Sequence, residues 1–216
     1  WIVVGGSWGA TLAVAYAEMH YTKVKAMILR SLFLGTKEEI DWAFFEAPLR
    51  FRPQLIYEVN NILNNKKLVN PIYTLGPMLE NKNYKIKSLA ASLWLVYESN
   101  LSTIKFNYKN LDDIKFNIEN TEKILPNTPF IEWHYIKNNF FLKSNQLLKN
   151  KKKLNKIPIA IVQSDYDLLC PPIISFNFAS ELVNCKIFRV ECAGHYISDP
   201  GVKEKMKQLL DEYEKK

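Results

Sequence analysis

The stretch Trp1-Ile2-Val3-Val4-Gly5-Gly6-Ser7-Trp8-Gly9-Ala10-Thr11-Leu12-Ala13 decides the fold. Residues 1–6 read as a short buried strand ending on two glycines. From Trp8 to about His20 the pattern turns helical, and Ala10, Ala13 and Ala17 fall three and four apart, a face of small residues suited to press against a sheet. Leu12, Tyr16 and Met19 form a bulkier stripe beside it. Lys25 to Leu34 carries a second apolar run, Ala26-Met27-Ile28-Leu29, suited to a buried parallel strand. Strand, helix and strand make one βαβ unit, the building block of a parallel sheet. Gly5-Gly6-Ser7-Trp8-Gly9 matches G-x-S-x-G directly after the strand and directly before the helix. In that context the serine is held in a strained conformation at the strand's C-terminal edge, near the positive end of a helix dipole. Small residues two positions away on each side are expected to keep strand and helix from colliding. Ser7 is the candidate nucleophile, and the backbone N–H of Trp8 is a candidate oxyanion donor.

Downstream, the character changes at about Thr36. Residues 37–156 are rich in aromatic, Asn and Lys residues, contain Gly76 as their only glycine, and read as helices joined by polar loops. The α/β pattern then resumes with Ile157 to Gln163 as a strand, a helix over Ile174 to Leu182, a strand over Cys185 to Val190 and an amphipathic helix from Val202 to Glu214. The expected organisation is an α/β core over 1–36 and 157–216, interrupted by a helical insertion over 37–156. The chain opens inside a strand, without an initiator Met, which leads to the expectation that upstream sequence is missing.

With 216 residues, 48% of them hydrophobic and 13% aromatic, the chain can bury a sizeable core. Its formal charge of +7 raises nucleic acid as a partner. The basic residues are scattered, however, and the one dense run, Lys149-Asn150-Lys151-Lys152-Lys153, lacks interleaved aromatics or a known binding motif. A solvated loop is expected there, and no nucleic-acid partner. Cys170, Cys185 and Cys192 are odd in number and lack C-x-x-C spacing, which argues against a disulfide framework or a structural zinc site and fits a reducing, cytoplasmic compartment. Cys185 and Cys192 are expected to be buried fillers. No apolar run approaches the roughly 18 residues of a membrane span, so no membrane partner is expected.

A serine hydroxyl needs a base to take its proton. Of the three histidines, His20 ends the first helix and His134 lies among Trp133 and Tyr135 in the insertion. His195 follows Ala193-Gly194 after the last strand, on a loop at the same sheet edge as Ser7, and is the candidate base. Asp165 and Asp167 both follow the strand ending at Gln163. Asp165 can serve as a turn cap, whereas Asp167 precedes Leu168-Leu169-Cys170-Pro171, which leads the chain away from the sheet, and is the preferred orienting acid.

At these residues the chain resembles the proline iminopeptidases (prolyl aminopeptidases), serine peptidases of the α/β-hydrolase fold. The resemblance runs through Val4 to Ala13, Leu29-Arg30 with Phe33-Leu34, Glu39-Ile40-Asp41-Trp42, Val162-Gln163 to Tyr166-Asp167 with Cys170-Pro171, and Ala193-Gly194-His195. It implies an α/β-hydrolase core with its N-terminal strands missing and an inserted helical cap. By the same resemblance Ser7 is the nucleophile, Asp167 the orienting acid and His195 the general base. Glu98 and Glu132 look like the cap acids that grip the free amino end of a peptide with N-terminal proline, with nearby Trp and Tyr faces to hold its ring. The family's upstream strands and its His-Gly-Gly-Pro-type loop, source of a second oxyanion donor, have no counterpart in these residues. No metal or cofactor is called for. The alternatives are an esterase or amidase of the same fold, and a non-catalytic binding protein.

Overall fold

The computed structural model describes residues 1–105 and 125–215. They divide into two compact units, one of residues 1–39 with 142–216 and the other of residues 40–141.

The first unit is built on four parallel strands, β1 (Ile2–Ser7), β2 (Ala26–Leu32), β3 (Ile159–Ser164) and β4 (Cys185–Val190), in the order β1-β2-β3-β4. Strands β2 and β3 are neighbours, with Leu29 paired to Ile161, although the whole second unit lies between them in sequence. Helix α1 (Trp8–His20) connects β1 to β2. Its Ala10, Ala13 and Ala17 are buried, as their spacing predicts, while Leu12 and Met19 of the bulkier stripe face solvent.

Side chains alternate across a strand, so β2 feeds two cores. Met27 and Leu29 join Ala10, Val14, Ile159, Ile161 and Phe178 on one face. Ile28 joins Ala160, Val162, Val190, Val202, Met206 and Leu209 on the other. Each large apolar side chain so covered contributes about 1.5–3 kcal/mol relative to exposure. With both faces covered, β2 and β3 read as largely apolar runs rather than alternating ones.

Leu147 and Leu154 are fully buried in the sheet unit's core. They bring α8 (Gln146–Asn150) and the 3₁₀ turn Lys151–Leu154 into that unit, so residues 142–156 group with the sheet. The lysine run is therefore not simply a solvated loop. Lys151 is almost wholly buried, its Nζ donating to Asn177 O at 2.9 Å and lying 3.4 Å from Glu181 Oε1. Helices α9 (Pro172–Ala179) and α10 (Val202–Glu214) complete this unit.

The second unit is helical. Helix α2 (Lys37–Asp41) enters it and runs through a π-helical stretch, Trp42–Glu46, into α3 (Ala47–Phe51). The start of α2 is a capping box: the Thr36 hydroxyl accepts from Glu39 N, and Glu39 Oε2 accepts from Thr36 N. Helices α4 (Pro53–Ile62), α5 (Ile72–Leu79), α6 (Tyr84–Ser102) and α7 (Thr128–Lys137) follow among the described residues. Gly76 of α5 lies flush against the Trp133 indole of α7, where a Cβ would come within 2.4 Å of the ring. Trp133 Nε1 and Lys137 Nζ both donate to Glu80 Oε1, tying α7 to the end of α5.

Candidate active site

In a parallel sheet every strand delivers its C-terminal loop to the same edge, where sites on such folds form. Ser7 ends β1, Asp167 follows β3 and His195 follows β4, and the three side chains meet there. His195 Nε2 is 3.1 Å from Ser7 Oγ, and His195 Nδ1 is 3.0 and 2.9 Å from the two Asp167 carboxylate oxygens. A carboxylate can only accept, so Nδ1 carries the proton and Nε2 is left as an acceptor for the serine hydroxyl. Asp167 and His195 are buried, whereas Ser7 is partly exposed.

Local chemistry explains each placement. Ser7 has φ 55° and ψ −123°, a region that costs a non-glycine residue about 1–3 kcal/mol. The reversal brings Gly5 against the first turn of α1, where a Cβ would sit 2.2 Å from Gly9 O. Gly9 itself has nothing within 4 Å of a built Cβ. The expected two-sided need for small residues is thus one-sided, since the close approach is to the carbonyl of Gly9 and not to its α-carbon.

Asp167 forms an Asx-type turn, its Oδ1 accepting from Leu169 N at 3.1 Å and Cys170 N at 2.9 Å. Backbone bonds from Asp165 N to Val190 O and from Tyr166 N to Ala193 O carry the β3–β4 pairing into the two loops, and so deliver the acid and the histidine together. Asp199 Oδ2 accepts from Gly194 N at 2.6 Å, fixing the histidine loop from its far side. Asp165 makes a two-pronged contact with Arg189 (3.0 and 2.8 Å), so it is occupied away from the imidazole.

Two polar residues of the sheet, half-buried Arg30 and buried Gln163, were not anticipated from the sequence. Arg30 of β2 donates through Nη1 to the Ser31 hydroxyl at 3.1 Å and to the backbone carbonyl of His195. Its guanidinium lies over Gly6, where a Cβ would come within 2.8 Å of it. Burial lowers its pKa, opposed by Asp167, Cys170 and Asp199. Gln163, wholly buried in β3, bonds three groups around the acid loop. Both lay in plain view as polar residues inside apolar strand runs, positions that demand partners.

Cys170 is buried. Burial, then the carboxylates of Asp167 and Glu39, push its thiol well above the usual range. Ligand-type atoms of Asp167, Cys170 and His195 lie within 4.8 Å of one another, but the carboxylate and imidazole are already bonded together. All three cysteines are free, and two differ from expectation: Cys185 is only half-buried and Cys192 is exposed. Cys185 opens β4 and Cys192 follows it, both at the margin of the described sheet.

The remaining histidines are engaged elsewhere. His20 lies 4.9 Å from the Tyr16 ring, and exposed His134 touches Tyr135 and Phe141.

Glu98 of α6 and Glu132 of α7 come together inside the helical unit. Trp94 Nε1, one turn before Glu98, donates to Glu132 Oε2 at 2.5 Å. Burial first, then the neighbouring Glu98 carboxylate, push Glu132 up to about 8. Glu132 therefore retains its proton near neutrality. Of the aromatic faces expected near these acids, the Trp133 ring is taken up against Gly76, and Tyr97 is buried with its hydroxyl on Phe44 O.

A strained serine at a strand–helix turn, with histidine and aspartate from later strands of a parallel sheet, is the arrangement of a hydrolase fold. The chain belongs to the alpha/beta hydrolase fold family, whose profile matches residues 1–202. Within that family its relatives are proline iminopeptidases. It is 31% identical over 219 residues to the proline iminopeptidase of Arabidopsis thaliana, covering 97% of this chain and 56% of that protein. It is 30% identical to the putative proline iminopeptidase of Mycoplasma pneumoniae, with 97% of this chain and 67% of the relative covered. Against the Neisseria gonorrhoeae proline iminopeptidase the identity is 28%, with 98% and 66% covered. The chain thus spans about 56–67% of the length of these relatives. Among solved structures, an alpha/beta fold family hydrolase from Bacillus anthracis superposes with a TM-score of 0.55 at 17% identity, covering 98% of this chain and 66% of the other. A putative lipase from Acinetobacter baumannii gives 0.51 at 14%, covering 98% and 60%. At these identities the structural likeness shows the fold alone. No helix among the described residues is long and apolar enough to cross a membrane.

Proposed function

We propose that the chain carries the catalytic residues of a serine exopeptidase that releases N-terminal proline from peptides. The observation that carries this reading is the unbroken contact line from Asp167 through His195 to Ser7. Ser7 Oγ attacks the carbonyl of the first residue while His195 Nε2 takes the hydroxyl proton, and Asp167 keeps the other ring proton on Nδ1 and stabilises the imidazolium. The tetrahedral oxyanion is held by the Trp8 N–H in the first turn of α1. His195 then returns its proton to the leaving amine, leaving a prolyl ester on Ser7. Water, deprotonated by the same imidazole, hydrolyses that ester and frees proline.

Glu98 and Glu132 are assigned to the free amino end of the substrate. Two neighbouring carboxyls supply the negative charge that a secondary ammonium needs, and supply more of it once Glu132 has released its proton. The names of the sequence relatives support proline as the terminal residue.

The test compares a free-amine prolyl amide with its N-acetylated counterpart, alongside Ser7→Ala. We expect hydrolysis of the free amine only, and a loss on the order of 10⁶ in turnover without the serine hydroxyl. Equal rates on both amides would remove the exopeptidase assignment and leave an amidase. Near-normal turnover by Ser7→Ala would remove the serine mechanism altogether.

A further inference from the structure

Gln163 is the last residue but one of β3, has no solvent exposure, and uses both ends of its amide in hydrogen bonds. Its Nε2 donates to Ser164 O and to Cys170 O, both at 3.1 Å, and its Oε1 accepts from the buried Ser175 hydroxyl of α9 at 2.5 Å. The amide orientation follows from chemistry, because two backbone carbonyls can only face the NH₂ group. Ser164 and Cys170 are the two ends of the loop that carries Asp167. The same Cys170 whose carbonyl is held by Gln163 donates its N–H to Asp167 Oδ1.

We propose that Gln163 is a positioning residue for the orienting acid, clamping both ends of the Asp167 loop and anchored in turn by Ser175. The proposal rests on the serine-hydrolase reading of the site. Hydrogen bonds run from Ser175 through Gln163 to Cys170, on to Asp167 and His195, and end at Ser7. Only a primary amide supplies two donors and one acceptor in that space. A glutamate there would turn a carboxylate toward two carbonyl oxygens, and an apolar residue would remove all three bonds. Polar groups joined in such a network act as a unit, so removing the middle member loosens the carboxylate.

The experiment uses Gln163→Met, Ser175→Ala and the double variant, with two readouts. The first is the rate at which a fluorophosphonate probe labels Ser7. The second is the proton NMR resonance of His195 Nδ1–H, assignable because the chain has only three histidines. In Gln163→Met we expect labelling slowed about 10- to 100-fold, and an Nδ1–H signal shifted and exchanging faster with water, while His20 and His134 signals stay in place. For Ser175→Ala the expected change has the same direction and is about threefold. The double variant should match Gln163→Met alone, since Ser175 acts through the amide. A residue that served stability alone would lower the melting temperature and leave the Nδ1–H signal of the folded protein unmoved. Folded Gln163→Met with an unchanged signal and a labelling rate within about twofold of the parent overturns the proposal. Should that variant fail to fold, an unchanged Ser175→Ala overturns it equally. Labelling that persists in Ser7→Ala sinks the serine-hydrolase reading instead, and the NMR signal still decides the role of Gln163.

Discussion

His195 Nε2 stands 3.1 Å from Ser7 Oγ although 188 positions separate the two residues in sequence. The contact exists because β1 and β4 point the same way in one sheet and both open their loops at its C-terminal edge. The Ser7 hydroxyl should therefore depend on His195 for its reactivity. His195→Ala is expected to slow fluorophosphonate labelling by at least about 10³-fold, whereas His20→Ala and His134→Ala leave it unchanged. Labelling that survives loss of His195 would show that Ser7 is activated by some other group.

The two outer glycines of the turn should behave in opposite ways. A methyl at Gly5 meets the Gly9 carbonyl at 2.2 Å, and backbone cannot give way cheaply. Gly5→Ala is expected to destabilise the protein by about 3 kcal/mol or more, or to prevent folding. Gly9→Ala finds open space in the first turn of α1 and should raise stability by a few tenths of a kcal/mol up to about 1. Urea unfolding of both variants gives the comparison, and similar losses in the two would contradict the turn geometry.

Ser164 buries a hydroxyl oxygen that finds no hydrogen-bond partner among the described residues. Ser164→Ala keeps the backbone carbonyl that Gln163 holds and removes only the unsatisfied group. It should be neutral or stabilising by up to about 1 kcal/mol in urea unfolding. A loss above that would mean the hydroxyl is bonded in solution.

Glu132 links stability to pH. Its carboxyl, ordinarily near 4.5, is pushed up to about 8 by burial and by Glu98, so the folded protein holds a proton there that the unfolded chain has released. This contribution to stability is complete below pH 4.5 and is lost as pH rises through about 8, with a slope of at most about 1.4 kcal/mol per pH unit. Glu132→Gln should flatten the slope of unfolding free energy between pH 5 and 8. The deprotonated pair is also the better partner for a cation, so binding of an N-terminal ammonium should tighten with pH across that window. Binding that weakens with rising pH would argue against the assigned role.

Glu18, near the end of α1, carries the same sign in a narrower window. Asn150 Nδ2 donates to its Oε2 at 3.2 Å, while Oε1 has no partner among the described residues. Burial raises it to about 7, against the opposing effects of Asn150 and Lys153. Stability should fall as pH climbs from 4.5 through about 7, and Glu18→Gln should recover on the order of 1 kcal/mol at pH 8, solvent near Lys153 screening the rest. Hydrogen exchange of the α1 amides separates this effect from that of Glu132, and an unchanged pH profile in Glu18→Gln would refute it.

What was legible in the sequence had local causes. The strand patterns of β1 to β4, the small-residue face of α1 and the strand–serine–helix turn are set by side-chain period and backbone sterics, which act over a few residues. The order of Ser7, Asp167 and His195 along these elements was legible too, because parallel strands share an edge. The extent of the sheet unit was not. Leu147 and Leu154 look like any apolar residues in a lysine-rich stretch until α1 and β3 lie beside them. The exposure of Cys192 likewise depends on where the sheet ends. Gln163 and Arg30 were visible only as exceptions to a pattern. Their partners, Cys170 and His195, come from other loops, and periodicity carries no information about which distant carbonyl a polar side chain of a strand will meet. The sequence by itself determined which elements form and which groups reach the sheet's edge. Only the tertiary structure decided which of those groups touch, because hydrogen bonds between loops require distances that arise after the strands have paired.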